Sequence, residues 1–113
     1  MQISATIRYE MTLKEYNDKG GDSYFITETS KALGIDKSLI KITSVKEGSV
    51  IATFTISSSG GTTLADKQKQ LADVKATLDD AVKTGALNVY PGAVILNYES
   101  GIVTASNFPS FLS

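Results

Sequence analysis

Cysteine, histidine and tryptophan are absent from this chain of 113 residues, and proline occurs only twice. Without cysteine there is no disulfide framework and no thiolate nucleophile, and without histidine as well the usual zinc-ligand sets are gone. The missing histidine also removes the general base that most often activates a serine or threonine nucleophile. An excess of charge of one sign is lacking too. Eleven Lys and Arg stand against twelve Asp and Glu, for a net charge of −1 and a pI near 5.3. Such a chain has no basic footprint to attract nucleic acid or an anionic membrane surface. No apolar run approaches the roughly 18 residues of a membrane span. Met1-Gln2-Ile3 reads as the start of a strand rather than of a signal peptide, so the segment itself is not expected to insert into a membrane. A disulfide-free domain of this size is compatible with the cytosol and with the cell exterior alike.

What is present is the composition of one ordinary globular domain, 42% hydrophobic and 20% charged, long enough to bury most of its apolar side chains in a single core. Two periodicities alternate along it. Ile3, Ala5, Ile7, Tyr9 and Met11 are apolar while Gln2, Ser4, Thr6, Arg8 and Glu10 are polar, the period-two pattern of a strand with one buried face. Thr12-Leu13-Lys14-Glu15 has the form of a capping box, and Asn17-Asp18-Lys19-Gly20-Gly21 then interrupts. Asp22 is placed to cap a second helical piece over 22–34, with Phe25, Thr29, Ala32 and Leu33 on one face and Gly34 as its stop.

Leu39 to Val45 and Val50 to Ile56 are two β-rich runs joined by Lys46-Glu47-Gly48, which predicts a hairpin whose Gly48 supplies a positive φ. Ser57-Ser58-Ser59-Gly60-Gly61 has linker composition, and Thr62 or Thr63 caps a long helix with Leu64, Leu71, Val74, Leu78 and Val82 on one stripe, ended by Gly85. A last strand runs over Ala93 to Tyr98 and resumes at Ile102-Val103 after Ser100-Gly101. The order β-α-β-β-α-β predicts an α+β, ferredoxin-like sandwich, a four-stranded antiparallel sheet with two helices on one face. Ile3, Ile7, Phe25, Leu33, Ile42, Phe54, Leu71, Leu78 and Ile95 are expected in the core. Ser4, Thr6, Arg8, Thr53 and Thr55 are expected on the open face, which lacks the paired aromatics of an RNA-binding sheet.

The run Leu33-Gly34-Ile35 followed by Ile40-Lys41-Ile42-Thr43-Ser44-Val45-Lys46-Glu47-Gly48-Ser49-Val50-Ile51-Ala52-Thr53-Phe54 resembles the centre of SEA domains, named for sperm protein, enterokinase and agrin. In that family a Gly-Ser-Val-Val-Val hairpin turn sits between the second and third strands of a ferredoxin-like fold. Gly48, Ser49 and Val50 match, while Ile51 and Ala52 stand in place of the second and third Val. The resemblance implies one domain over residues 1–106 with a tail or linker over 107–113. It also implies an extracellular or cell-surface setting, a structural or adhesive role, and neighbouring domains or other proteins as partners. Some members cut their own backbone between the Gly and the Ser.

The chemistry of such a cut can be written from the residues alone. Ser49 Oγ attacks the Gly48 carbonyl, the amide becomes an ester, and water hydrolyses it; a hydroxyl is a poor nucleophile without help, so distortion of the turn must supply the drive. The plainer reading is a tight turn in which Gly48 provides a left-handed φ and Ser49 is the next strand residue. Asn17, Asp18 and Asp22 around Gly20-Gly21 are the only oxygen cluster with any look of a cation loop, and they lack the EF-hand spacing; a solvated loop is the simpler interpretation. Gly20-Gly21 is too little for a phosphate cradle. Asp66, Asp73, Asp79 and Asp80 read as the solvated face of the long helix among Lys67, Lys69 and Lys75. No cofactor is expected. Phe108-Pro109-Ser110-Phe111-Leu112 is an apolar tail suited either to covering a core edge or to docking elsewhere. Two roles follow: a non-enzymatic SEA-like module with self-cleavage at Gly48–Ser49 as its one chemical option, or a non-cleaving interaction domain, in either case monomeric or weakly self-associating.

Overall fold

Alternation of apolar and polar residues builds the sheet. In the computed structural model, which describes residues 2–47, 49–58, 63–90 and 92–103, the first strand β1 spans Gln2–Tyr9 and buries Ile3, Ala5, Ile7 and Tyr9. β3, Val50–Ser57, does the same with Val50, Ala52, Phe54 and Ile56. These two strands pair antiparallel from Gln2↔Ser57 to Tyr9↔Val50, so their buried residues stack opposite one another. β2 (Ile40–Lys46) pairs with β3, and β4 (Ile95–Val103) with β1, both antiparallel. The sheet order is β2-β3-β1-β4. β1 therefore runs parallel to β2 with β3 between them, and β3 runs parallel to β4 with β1 between them.

Three helices make those crossovers. Thr12 caps α1 (Leu13–Asp18) with a full capping box, its side chain accepting from Glu15 N while Glu15 accepts from Thr12 N. α2 (Gly21–Leu33) follows after a break at Gly20, φ 125°, where a Cβ would come within 2.9 Å of the Tyr24 Cβ. A side chain is excluded there on both counts, so the Gly pair is a structural hinge. Gly20, not Asp22, is the N-cap of α2 and offers no side-chain cap; Asp22 sits in the first turn and accepts the Tyr16 hydroxyl at 2.6 Å instead. A short 3-10 turn at Lys37–Leu39 leads into β2, and α3 (Leu64–Thr84) starts at Thr63, whose hydroxyl accepts from Asp66 N. α2 lies against β2 and α3 over β1 and β4.

The core holds Ile3, Ile7, Phe25, Leu33, Phe54, Leu71 and Leu78 as expected, but Ile42 and Ile95 are only partly buried, because each lies on an edge strand. Leu64 is 62% exposed; it sits in the first turn of α3, outside the core, while Leu71, Leu78 and Ala81 are buried. β4 is continuous through Ser100-Gly101, which pair with Ala5 and Ser4, so that dipeptide does not interrupt the strand. Thr6 and Thr53 face each other on the open side with hydroxyls 3.4 Å apart, and the register puts Ser4, Arg8 and Thr55 there too.

Aromatic rings dominate the far end of the core. Tyr90 lies 4.9 Å from Tyr9, 5.4 Å from Tyr24 and 5.9 Å from Tyr16, and Phe25 packs edge-on to Phe54 at 5.2 Å. Tyr9 donates to Leu87 O at 2.8 Å and Tyr24 to Val89 O at 2.6 Å, tying the segment after α3 to β1 and α2. Burial drives the Tyr9, Tyr16 and Tyr90 phenols well above the usual tyrosine value, so they stay neutral; Tyr9 and Tyr16 donate hydrogen bonds, while the buried Tyr90 hydroxyl has no partner among the described residues.

Asp79 is no ordinary solvated carboxylate of α3. It accepts from Tyr98 at 2.6 Å and Ser100 at 2.8 Å on β4 and pairs with Lys75 at 2.7 Å. Partial burial pushes its pKa up, but the hydrogen bonds from Lys75, Tyr98 and Ser100 outweigh it and hold the carboxyl below its ordinary value.

Two consequences are measurable. Phe54→Ala should cost about 3–5 kcal/mol in denaturant melts, the usual loss for a fully buried ring; a loss below about 1 kcal/mol would contradict the inward facing of β3. Because the native pKa of Asp79 is depressed, its stabilisation is complete above the unfolded carboxylate pKa of about 3.9 and disappears as pH falls through the native pKa. Asp79→Asn should therefore lower stability at neutral pH by about 1 kcal/mol, discounted for solvent exposure, and should lessen the loss of stability in acid titrations.

Candidate functional site

The link between β2 and β3 joins an edge strand to a central one. On the β2 side the ladder is irregular: Ile42 pairs with Phe54 and Ser44 with Thr53, leaving Thr43 as the extra residue, whose hydroxyl donates to Thr53 O at 3.1 Å. Such a bulge sharpens the local twist just before a turn. On the β3 side Val50 and Ala52 are wholly buried and paired with Tyr9 and Ile7. The chain leaving the turn is thus clamped by the core from its first strand residue onward.

Ser49 sits between these constraints with φ +89°, and it is the one non-glycine residue at positive φ among the described residues. A side-chain-bearing residue in that region costs roughly 1–2 kcal/mol. The expectation that Gly48 carries the positive φ falls on a residue outside those described; the strain that is seen belongs to its neighbour. Ser49 is half-buried, and its Oγ accepts a hydrogen bond from Arg8 Nη2 at 3.3 Å. Arg8 reaches it diagonally from β1, two register positions along the sheet, since Arg8 pairs with Ile51 and Tyr9 with Val50. The guanidinium is a permanent donor and cannot serve as a base. The turn therefore offers a hydroxyl on a strained backbone with a cation within hydrogen-bond reach. No composition or periodicity signal points to Arg8, because its partner lies forty-one positions away.

The other sequence candidates disperse. Asp18 is paired with Lys14 at 2.8 Å and Asp22 takes the Tyr16 hydroxyl, while the backbone carbonyl of Asn17 accepts from Gly20 N. Among the described residues no group of three or more His, Cys, Asp or Glu side chains could hold a metal ion, and no helix is long and apolar enough to cross a membrane. The Phe108–Leu112 tail lies outside the described residues. A cleft of about 250 Å³ opens beside Tyr90, between Glu10, Glu15 and Lys19. Glu15 there is engaged with Thr12 N and Oγ1. Exposed apolar side chains gather on and before β4, at Val94, Leu96 and Ile102; Leu96 is the extra residue where Tyr9 pairs with Ile95 and Arg8 with Asn97. Comparison with family models, with curated proteins and with solved structures finds no match, so any functional reading rests on the geometry of this chain.

If the positive φ is the source of strain at the turn, Ser49→Gly should stabilise the fold by about 0.5–1 kcal/mol, despite loss of the Arg8 contact, by removing the Cβ penalty. Urea melts read this directly. An unchanged or lowered midpoint would mean that the turn holds no such strain.

Proposed function

We propose that this chain is a SEA-like, non-enzymatic structural module of an extracellular surface or matrix protein, built on a ferredoxin-like arrangement, with the Gly48–Ser49 junction a point of slow self-cleavage. The single observation that carries the reading is Ser49 at φ +89° in a turn whose following strand is clamped by the core. The strand order supports it. Taken from the β4 edge it reads β4-β1-β3-β2, two split βαβ units interleaved, as in ferredoxin-like folds.

The reaction proceeds in two steps. Ser49 Oγ attacks the Gly48 carbonyl carbon; the C–Oγ bond forms, the C–N bond breaks, and the hydroxyl proton ends on the freed Ser49 amine. Water then cleaves the ester to leave a Gly48 carboxylate and the Ser49 hydroxyl. Strain of about 1–2 kcal/mol is worth roughly five- to thirtyfold in rate, far less than the 10²–10⁴-fold that a positioned general base contributes. The cut is accordingly slow, and the intact chain predominates after purification.

The sheet explains how a cut module would hold together. Residues 1–48 carry β1 and β2, residues 49–113 carry β3 and β4, and the order β2-β3-β1-β4 alternates the two fragments strand by strand. Every ladder in the sheet thus bridges the cut. Such a module transmits load through hydrogen bonds and core packing, and separates only when the sheet opens.

A second reading, a non-cleaving interaction or assembly domain, draws on the exposed Val94, Leu96 and Ile102 along the β4 edge. Intact mass after denaturation separates the two. Prolonged incubation at mildly alkaline pH with hydroxylamine, which traps the ester, should yield fragments 1–48 and 49–113 from the wild type. Ser49→Ala, and one or two Gly residues inserted before Gly48, should remain intact while keeping the fold. A wild-type chain that resists hydroxylamine sinks self-cleavage, and a concentration-dependent melting temperature would then favour assembly.

A further inference from the structure

We infer that Arg8 is the positioning residue of the Gly48–Ser49 cut: it orients the Ser49 hydroxyl and stabilises the negative charge that grows on Oγ as its proton leaves. The inference rests on the self-cleavage reading above and adds to it a group that favours ionisation of the nucleophile.

Three observations lead to Arg8. Its Nη2 is 3.3 Å from Ser49 Oγ, and the bond joins β1 to the turn across the central β1–β3 ladder. Arg8 takes part in none of the ion pairs among the described residues, which are Lys14–Asp18, Lys31–Glu28 and Lys75–Asp79. Its charge is therefore not spent on a carboxylate. The backbone that places Arg8 is also well constrained, since its neighbours Ile7 and Tyr9 are wholly buried and its strand is paired on both sides. The charges nearest Arg8 and the turn are Lys46, which pairs with Ile51 on the same sheet face, Glu47 within the turn, Glu10 two residues along the chain from Arg8, and Glu99 opposite Thr6, and none of them forms an ion pair with Arg8.

The chemistry follows from donor and acceptor roles. A guanidinium that donates to Oγ occupies one lone pair and leaves the hydroxyl proton and the second lone pair free. It cannot take the proton, which passes to solvent, and solvent returns one to the departing amide nitrogen, so the balance of the acyl shift is unchanged. What the cation does is lower the energy of the Ser49 alkoxide as its proton leaves. For a solvent-exposed pair near 4 Å the Coulomb attraction corresponds to about fivefold in rate, and it is weakened by salt.

The test follows hydroxylamine-dependent cleavage by intact mass in the full chain. Arg8→Gln keeps a donor but removes the charge and should slow cleavage about fivefold, while Arg8→Lys keeps the charge and should fall between the two. Millimolar guanidinium, far below denaturing levels, should restore part of the rate in Arg8→Ala. Raising salt should slow the wild type and leave Arg8→Gln unaffected, a response that a purely structural role would not produce. Melting temperatures within a few degrees of wild type should accompany all three variants, since Arg8 is exposed. If Arg8→Gln cleaves at the wild-type rate with the wild-type salt response, the role of Arg8 is overturned and self-cleavage stands. If the wild type yields no fragments under hydroxylamine, both are overturned.

Discussion

The antiparallel pairing of β1 with β3 is the constraint on which the rest of the molecule depends. It aligns two strands of strict alternation so that eight consecutive pairs put one set of side chains in the core and the other on the open face. A slip of one residue would send Ile3, Ile7, Phe54 and Ile56 to solvent together. Because β1 and β3 are the two central strands, β2 and β4 are forced to the edges, and the helices are confined to the face where the apolar set points. The same pairing brings Arg8 alongside Ser49. The candidate site is thus a by-product of the ladder that makes the fold.

Polar contacts then hold the outer elements to that centre. Asp79 fastens α3 to the β4 edge through two hydroxyls, and tyrosine hydroxyls fasten the 87–90 segment to β1 and α2. Both devices suit their locations. β4 has a neighbour on one side only, so a charge-assisted bond from the helix layer substitutes for packing it lacks. The tyrosines combine a large buried ring with a hydroxyl that satisfies a backbone carbonyl left open by irregular chain.

The turn before β3 is the place where local preference and tertiary demand disagree. A hairpin needs positive φ, which glycine supplies without cost; here a serine adopts it, held between a bulged edge strand and a core-anchored strand.

Local sequence alone determined the element order, the broken first helix with its capping box, a threonine cap at position 62 or 63, and the inward faces of β1 and β3. These are local or nearest-neighbour properties, written in spacings of two and of three to four. It also marked the Gly48-Ser49 turn, because a small pair between two β-rich runs has few other uses. What it could not decide were the features set by partners far along the chain. Ile42 and Ile95 lose burial because their strands are edges, and Asp79 leaves the solvated face because Tyr98 and Ser100 arrive from β4. Gly20 replaces Asp22 as a cap because Tyr24 closes over the hinge and Tyr16 claims the carboxylate. Ser49 takes the strain and meets Arg8 because the β1–β3 register, a long-range choice, fixes both ends of the turn.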